Sequence, residues 1–319
     1  MKIYLAPLEG VTGYIVRNAF AHSFPGIDKY YTPFIPAAKR MNRKVLRDIA
    51  AENNLGIHLV PQLMSNRAEE VLDLGHQLQE LGYQEININL GCPSGTVVSK
   101  KRGSGLLSDL DMLDAFLYSI FEKADFPISV KTRVGFTDDS DWEKLLAIYS
   151  RYPLYELTVH PRVRTDFYNG TPRYADFDLA YDHYAAASDN TRLCYNGDIR
   201  TRTDYDRLME RYPNLAQIMI GRGLLANPAL AMQITGSGTN ADLLPAFRAF
   251  HDEIFDGYSR IFSGERDAMF HMKEIWGYLI CSFTDSEKIG KRIRKAQTFP
   301  EYLTCVNELF AHHPLCLAD

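Results

Sequence analysis

Cys92 carries a reactive side chain in the segment Glu85-Ile-Asn-Ile-Asn-Leu-Gly-Cys-Pro-Ser94, and its place there bounds what it can do. Ile86 and Ile88 alternate with Asn87 and Asn89, the period of a strand. Pro93 stops that strand, so Cys92 falls on a loop at its C-terminal end. A thiol there is held by a rigid element and faces an opening. The next residues, Gly95 to Gly105, are glycine-rich and basic, with Lys100 and Arg102 among them. They read as a mobile loop that closes over a substrate and meets negative charge. A small buried hydrophobe in a turn is the other reading of Cys92, and these residues alone leave both open.

The elements around Cys92 follow an alternating pattern. Strand signals occur at Ile3–Ala6, Lys29–Thr32, Ile57–Val60 ending at Pro61, the Cys92 strand, Ile128–Lys131, Leu154–His160, Arg192–Tyr195 and Gln217–Ile220. Between them lie helical stretches. One runs from Arg67 to Leu81, capped by Asn66 and ended by Gly82; another is capped by Ser108 with Asp111 three residues on. Eight strands alternating with helices predict an α/β fold, a (β/α)8 TIM barrel, which typically occupies about 250 residues. A doubly wound open sheet is the other arrangement permitted, but no Gly-x-Gly-x-x-Gly follows the first strand. Residues 236–240 have linker composition, and the pattern from Asp242 onward is helical throughout. The expected division is a barrel domain over 1–235 and an all-helical domain over 242–319.

In such a barrel, chemistry sits at the C-terminal ends of the strands. Every strand end but the second offers something polar or tight. The first gives Pro7 and Leu8, the third Gln62, the fourth Asn89 and Cys92. The fifth gives Lys131 and Arg133, and the sixth His160. The seventh gives Asn196-Gly197-Asp198, and the eighth Gly221-Arg222-Gly223. The last two positions are where barrels often bind phosphate. Glycines let backbone N–H groups approach the oxygens, Arg222 adds a charge-assisted fork, and a helix starting near Leu224 points its N-terminus at the anion. Gln62, Asn89, Lys131 and His160 then suit a flat, hydrogen-bonding cofactor. An isoalloxazine has a uracil-like edge for the amides, and a cationic Lys stabilises the negative charge of the reduced ring.

Composition narrows the partners. The 319 residues carry a net charge of -5, so any nucleic-acid surface must be local. Five scattered cysteines without a Cys-x-x-Cys argue against a disulfide framework or a zinc site and fit a reducing cytoplasm. No apolar run approaches the ~20 residues of a membrane span, and the N-terminal apolar run lacks the length of a signal peptide. A monomer is the expectation.

With these residues assembled, the sequence resembles the tRNA-dihydrouridine synthases. The resemblance rests on Ala6-Pro-Leu-Glu-Gly-Val-Thr12, Asn89-Leu-Gly-Cys-Pro-Ser94, Val130-Lys-Thr-Arg133, Val159-His160 with Arg162 and Arg164, Asn196-Gly-Asp-Ile199 and Ile220-Gly-Arg-Gly223. It covers residues 1–235, and the C-terminal part has the size and place of that family's tRNA-binding domain. Leu8, Gly13 and Asn87 depart from the family pattern, which has Met, Asp and Asp there. Asn87 leaves the bracing of the Cys92 strand open. The resemblance implies FMN held by Pro7, Leu8, Gln62, Asn89, Lys131, His160, Asn196, Gly197, Asp198, Gly221 and Arg222. It implies NADPH as electron donor, hydride transfer to C6 of a uracil, and Cys92 as the acid that protonates C5. Lys100, Arg102, Arg133, Arg162 and Arg164 would face the tRNA.

A second basic feature is independent of the barrel. Lys288, Lys291, Arg292 and Lys295 fall on one face of a helix, with Ile289 and Ile293 anchoring it. Lys39, Arg40, Arg43, Lys44 and Arg47 form a similar cluster. Both are expected to grip RNA phosphate; a solvated face is the alternative. Two rival functions remain. A dihydroorotate dehydrogenase would run related chemistry on a free pyrimidine, with no need for basic loops. A non-catalytic RNA-binding barrel would be colourless.

Overall fold

A computed structural model of the chain describes residues 1–36, 40–186, 191–237, 242–262 and 264–317. Ten strand segments form one parallel sheet: β1 (Lys2–Leu5), β2 (Lys29–Tyr31), β3 (Ile35–Pro36), β4 (Leu59–Val60), β5 (Gln62–Met64), β6 (Ile86–Leu90), β7 (Ile128–Gly135), β8 (Glu156–Val163), β9 (Arg192–Tyr195) and β10 (Gln217–Ile220). Their order is β3-β5-β6-β7-β8-β9-β10-β1-β2-β4. The two ends of that order meet, because only Pro61 separates β4 from β5. β4 pairs with β2 while β5 pairs with β6, so the segment closes a barrel. Pro61 has no N–H and interrupts its ladder, and Pro33 lies in the gap between β2 and β3. Followed along the chain, β2–β3 and β4–β5 are each one broken strand, and the closed barrel has the eightfold pattern expected.

Side chains alternate between the two faces of each strand. Ile86, Ile88, Leu90, Ile128, Val130, Leu157 and Val159 face outward into the core beneath the helices. The inward rows are unusually polar. Lys29, 4% exposed, lies 2.9 Å from Glu85 and 3.6 Å from Glu156, and the hydroxyls of Tyr4 and Tyr31 each donate to Glu156 at 3.0 Å. Burial disfavours the Lys29 ammonium, but the two carboxylates outweigh it and raise its pKa. From this plug a hydrogen-bonded chain climbs toward Cys92. Ser129 donates to Glu85 (2.6 Å), Asn87 to Ser129 (2.9 Å), Gln62 to Asn87 (2.8 Å) and Asn89 to Gln62 (2.7 Å). Asn87 thus braces the Cys92 strand through an amide that both donates and accepts.

The C-terminal part comprises the helices Leu244–Ile261, Glu265–Leu279, Glu287–Lys295 and Phe299–His312, with an antiparallel bridge between Phe283 and Leu315. The first of these lies against the helix Tyr14–Ser23 of the barrel. Phe20 and Phe24 meet Phe247 and Phe250 edge-on at 4.8–5.5 Å. A Cβ on Gly257 would fall 2.6 Å from Ile15, so the glycine permits this approach. Among the described residues no helix is long and apolar enough to cross a membrane.

Three local expectations need correction. The helix Ala68–Glu80 begins without a side-chain cap; Asn66 instead donates to the carbonyl of Lys100 and accepts from Arg102, tying down the loop after β6. The next helix, Leu110–Phe121, is capped by Asp109, which accepts from the N–H of Met112, whereas Ser108 donates to the carbonyl of Gly105. Finally, β7 and β8 extend to Gly135 and Val163, beyond Lys131 and His160. Arg133 and Arg162 are therefore strand residues on the inward rows of Lys131 and His160.

Candidate active site

The strand ends open on a cavity of about 560 Å³, within the range typical of ligand sites. Pro7 and Leu8 reach it from the loop after β1, Gln62 from β5, Asn89 and Cys92 from β6, Lys131 and Arg133 from β7 and His160 from β8. Asn196-Gly197-Asp198 and Gly221-Arg222-Gly223 complete the wall after β9 and β10. The fold thus brings together Cys92, Arg133 and all eleven residues expected to hold the cofactor.

Cys92 is pinned from both sides. Its N–H donates to Asn89 Oδ1 at 2.9 Å, and its carbonyl accepts from the N–H (3.1 Å) and the hydroxyl (2.8 Å) of Ser104. Gly103, at φ +54°, passes so close that a Cβ would lie 3.0 Å from the Cys92 carbonyl oxygen. The segment expected as a mobile loop is folded here as a helical turn, Gly95–Val98, and a 3-10 turn, Gly103–Ser108. Burial pushes the Cys92 thiol above its ordinary pKa; the Ser94 backbone hydrogen bond and the charges of Arg133 and Lys131 only partly offset it. The group in the cavity at neutral pH is a thiol, able to give a proton.

The opposite wall is cationic. Burial, with Arg133 beside it, pushes Lys131 down to about 7. Arg133 donates to the carbonyls of Gly91, Val163 and Phe167 at 2.7–2.9 Å. Asp198 is the hub of three arginines: Arg162 at 2.7 Å, Arg222 at 2.8 Å and Arg200 at 4.0 Å. Burial works against the Asp198 carboxylate, yet these charges hold it below the usual range. With Arg200 also lining the cavity, this end has a surplus of positive charge that an anion would neutralise. The two glycine loops meet tightly, since a Cβ on Gly223 would lie 2.0 Å from the carbonyl oxygen of Ile199. The helix after β10 starts at Arg222, two residues before the expected start, and spans only Arg222–Ala226.

Other expected contacts lie elsewhere. Arg162, expected to face RNA, is wholly buried, because the longer β8 turns it into the barrel. Arg164 is half-buried with its guanidinium over Phe136 and Phe167, off the cavity. Lys100 is exposed, whereas Arg102 is half-buried against Asn66 and Glu70. The helix Glu287–Lys295 buries Ile289 and Ile293 and exposes Lys288, Lys291, Arg292 and Lys295; Arg292 is already paired with both oxygens of Glu308 at 2.6 and 2.8 Å. Arg40, Arg43, Lys44 and Arg47 are exposed, and Lys39 lies outside the described residues.

Four lining residues fall outside every motif the sequence reading singled out: Phe34, Tyr168, Arg200 and Tyr278. Tyr168 lies between Arg222 (4.7 Å to the ring centre) and Arg133 (5.5 Å) and stacks near His160 at 6.2 Å. Its only signal was proximity to His160 among 19 tyrosines. Tyr278 comes from the helix Glu265–Leu279, so the C-terminal part contributes to the cavity wall. No local pattern marks such a contact.

A family model described as dihydrouridine synthase (Dus) matches residues 4–272. The chain belongs to the dihydrouridine synthase family. As a dihydrouridine synthase it is an enzyme, and its relatives agree. It is 26% identical over 259 residues to a "probable tRNA-dihydrouridine synthase" of Staphylococcus aureus (strain Mu50 / ATCC 700699), covering 80% of this chain and 78% of that one. It is 27% identical over 263 residues to the "probable tRNA-dihydrouridine synthase 2" of Bacillus subtilis (strain 168), with the same coverage. Among solved structures, histamine dehydrogenase from Rhizobium sp. 4-9 aligns with a TM-score of 0.54 at 10% identity, over 79% of this chain and 49% of that one. That likeness concerns the fold alone.

Proposed function

We propose that this dihydrouridine synthase reduces specific uridines of tRNA to 5,6-dihydrouridine, using FMN held in the barrel cavity and NADPH as electron donor. The observation that carries the reading is Cys92: a protonated thiol, fixed by Asn89 and Ser104, opening on the same cavity as the arginine-rich glycine loops. The donor set fits FMN. Asn196 to Asp198 and Gly221 to Gly223 offer backbone and Arg222 to a phosphate, and the cationic surplus calls for an anion. Gln62, Asn89 and Lys131 offer amides and an ammonium to a flat heterocycle.

Bound FMN supplies the hydride that adds to C6 of the uracil. This chain's residues do the rest. Lys131 and Arg133 place positive charge where the C4 carbonyl becomes an enolate. Cys92 holds a proton at Sγ and gives it to C5. The base must leave the RNA stack to enter the cavity. Tyr168 offers an exposed ring at its mouth, and Lys288, Lys291 and Lys295 face the RNA backbone. Arg162 takes no part in that contact.

Separating the half-reactions tests this. Cys92→Ala should retain flavin and oxidise NADPH normally, while uridine reduction falls ~10²–10⁴-fold, the usual worth of a positioned acid. Undiminished tRNA turnover by Cys92→Ala would remove the thiol from the mechanism.

A further inference from the structure

Arg162 follows His160 by two residues on β8, so both side chains lie on one inward row. Its guanidinium has five N–H groups, and five acceptors surround it. Nε donates to the carbonyl of Asn169 (3.1 Å), and Nη2 to the carbonyl of Gly170 (2.6 Å) and to Asp198 Oδ2 (2.7 Å). Nη1 donates to Asp198 Oδ1 (3.3 Å) and faces His160 Nε2 at 3.1 Å. Arginine cannot accept a hydrogen bond, so in the last contact the imidazole nitrogen must be the acceptor. Nε2 of His160 therefore carries no proton, and the proton of the neutral ring sits on Nδ1. Among the described residues Nδ1 has no hydrogen-bond partner, and the ring lines the cavity.

We propose that Arg162 is a positioning residue that locks His160 as the neutral Nδ1–H tautomer, so that the ring offers the cavity a hydrogen-bond donor and never a transferable proton. The surroundings agree. Lys131 and Arg133 on β7, Arg162 on β8 and Arg222 after β10 act on the ring alongside its burial, and His160 is held well below its ordinary pKa. Asp198 is the carboxylate closest to this network, and Arg162 and Arg222 engage both its oxygens. Tyr168 stacks near the ring, with 6.2 Å between the ring centres. The same guanidinium fixes Asp198 and the carbonyls that follow Tyr168. One residue thus orients three parts of the cavity. That His160 donates to an acceptor of the flavin rests on the reading of the cavity given above; the tautomer does not.

The test is nuclear magnetic resonance of protein carrying nitrogen-labelled histidine, with His160→Asn identifying the signals. The expected result is an unprotonated Nε2 and a protonated Nδ1, unchanged between about pH 5.5 and 8, where an ordinary histidine titrates. An Nε2–H tautomer or an imidazolium would overturn the proposal. In Arg162→Met, which brings no donor to Nε2, the locked pattern should be lost; its persistence would also overturn the proposal. A second arm leaves Arg162 in place. The Asn amide nitrogen mimics Nδ1 and the Gln nitrogen mimics Nε2, so His160→Asn should bind FMN roughly tenfold tighter than His160→Gln, the worth of one good hydrogen bond. Equal or reversed affinities would overturn the donor role. A locked tautomer in a protein that binds no FMN would sink the flavin reading and leave the tautomer standing.

Discussion

Lys131 links a strand position to a measurable pH dependence. Its inward place on β7 buries an ammonium beside Arg133, which brings its pKa from the ordinary lysine range to about 7. The unfolded chain keeps that proton up to about pH 10.4. Between these values the unfolded state binds more protons, so the stability of the flavin-free protein should rise with pH across that window. Below about pH 7 both states are protonated and the destabilisation is fully present. Lys131→Met should abolish this part of the slope, read as the difference between wild-type and variant melting curves taken from neutral to alkaline pH. Parallel curves across the window would show that the ammonium is not desolvated. Cys92 illustrates the opposite sign of the same effect: burial favours its neutral form, which for a thiol is the proton-bearing one.

Among the elements, the β9 and β10 loops show how close backbone approach builds a site. Gly223 packs on the Ile199 carbonyl with no room for a methyl group. Gly223→Ala should part the two loops, cost roughly 1–3 kcal/mol or more, and weaken FMN retention together with stability. A variant with wild-type melting temperature and flavin content would mean that the loops are not pressed together. Element boundaries also explain what could be read in advance. Strand signals placed Lys131 and His160 at strand ends, because short apolar runs bounded by turn residues are visible in sequence. They did not show that β7 and β8 run on to Gly135 and Val163, which converts Arg162 from a surface cation into a buried strut. The caps at Asn66 and Ser108 were misread for a similar reason. Each hydroxyl or amide had a tertiary or neighbouring partner competing with the helix N-terminus. Tyr278 was invisible because its helix, Glu265–Leu279, reaches the cavity through tertiary packing of the C-terminal part on the barrel, which leaves no local pattern.

For the whole molecule, the proposed function requires an acidic chain to bind an acidic polymer, and its basic surfaces are the ones expected to carry the association. The helix Glu287–Lys295 exposes Lys288, Lys291 and Lys295 on an anchored amphipathic face. Of the exposed Arg43, Lys44 and Arg47, Lys44 has its charge acting on the cavity-lining Glu9, whose carboxyl burial raises. Changing both Lys291 and Lys295 to Glu should weaken tRNA binding and flatten its salt dependence by roughly one unit for each phosphate no longer neutralised. NADPH oxidation should be unaffected, because neither residue lines the cavity. Unaltered affinity and salt slope would make this helix a solvated surface.

The most direct measurement incubates the purified, flavin-loaded protein with NADPH and tRNA free of dihydrouridine, and then weighs the nucleosides by mass spectrometry. The account expects particular uridines to gain two hydrogens each, with one NADPH consumed per dihydrouridine formed. A yellow protein that oxidises NADPH and reduces free orotate, yet leaves every uridine of the tRNA unchanged, would contradict it.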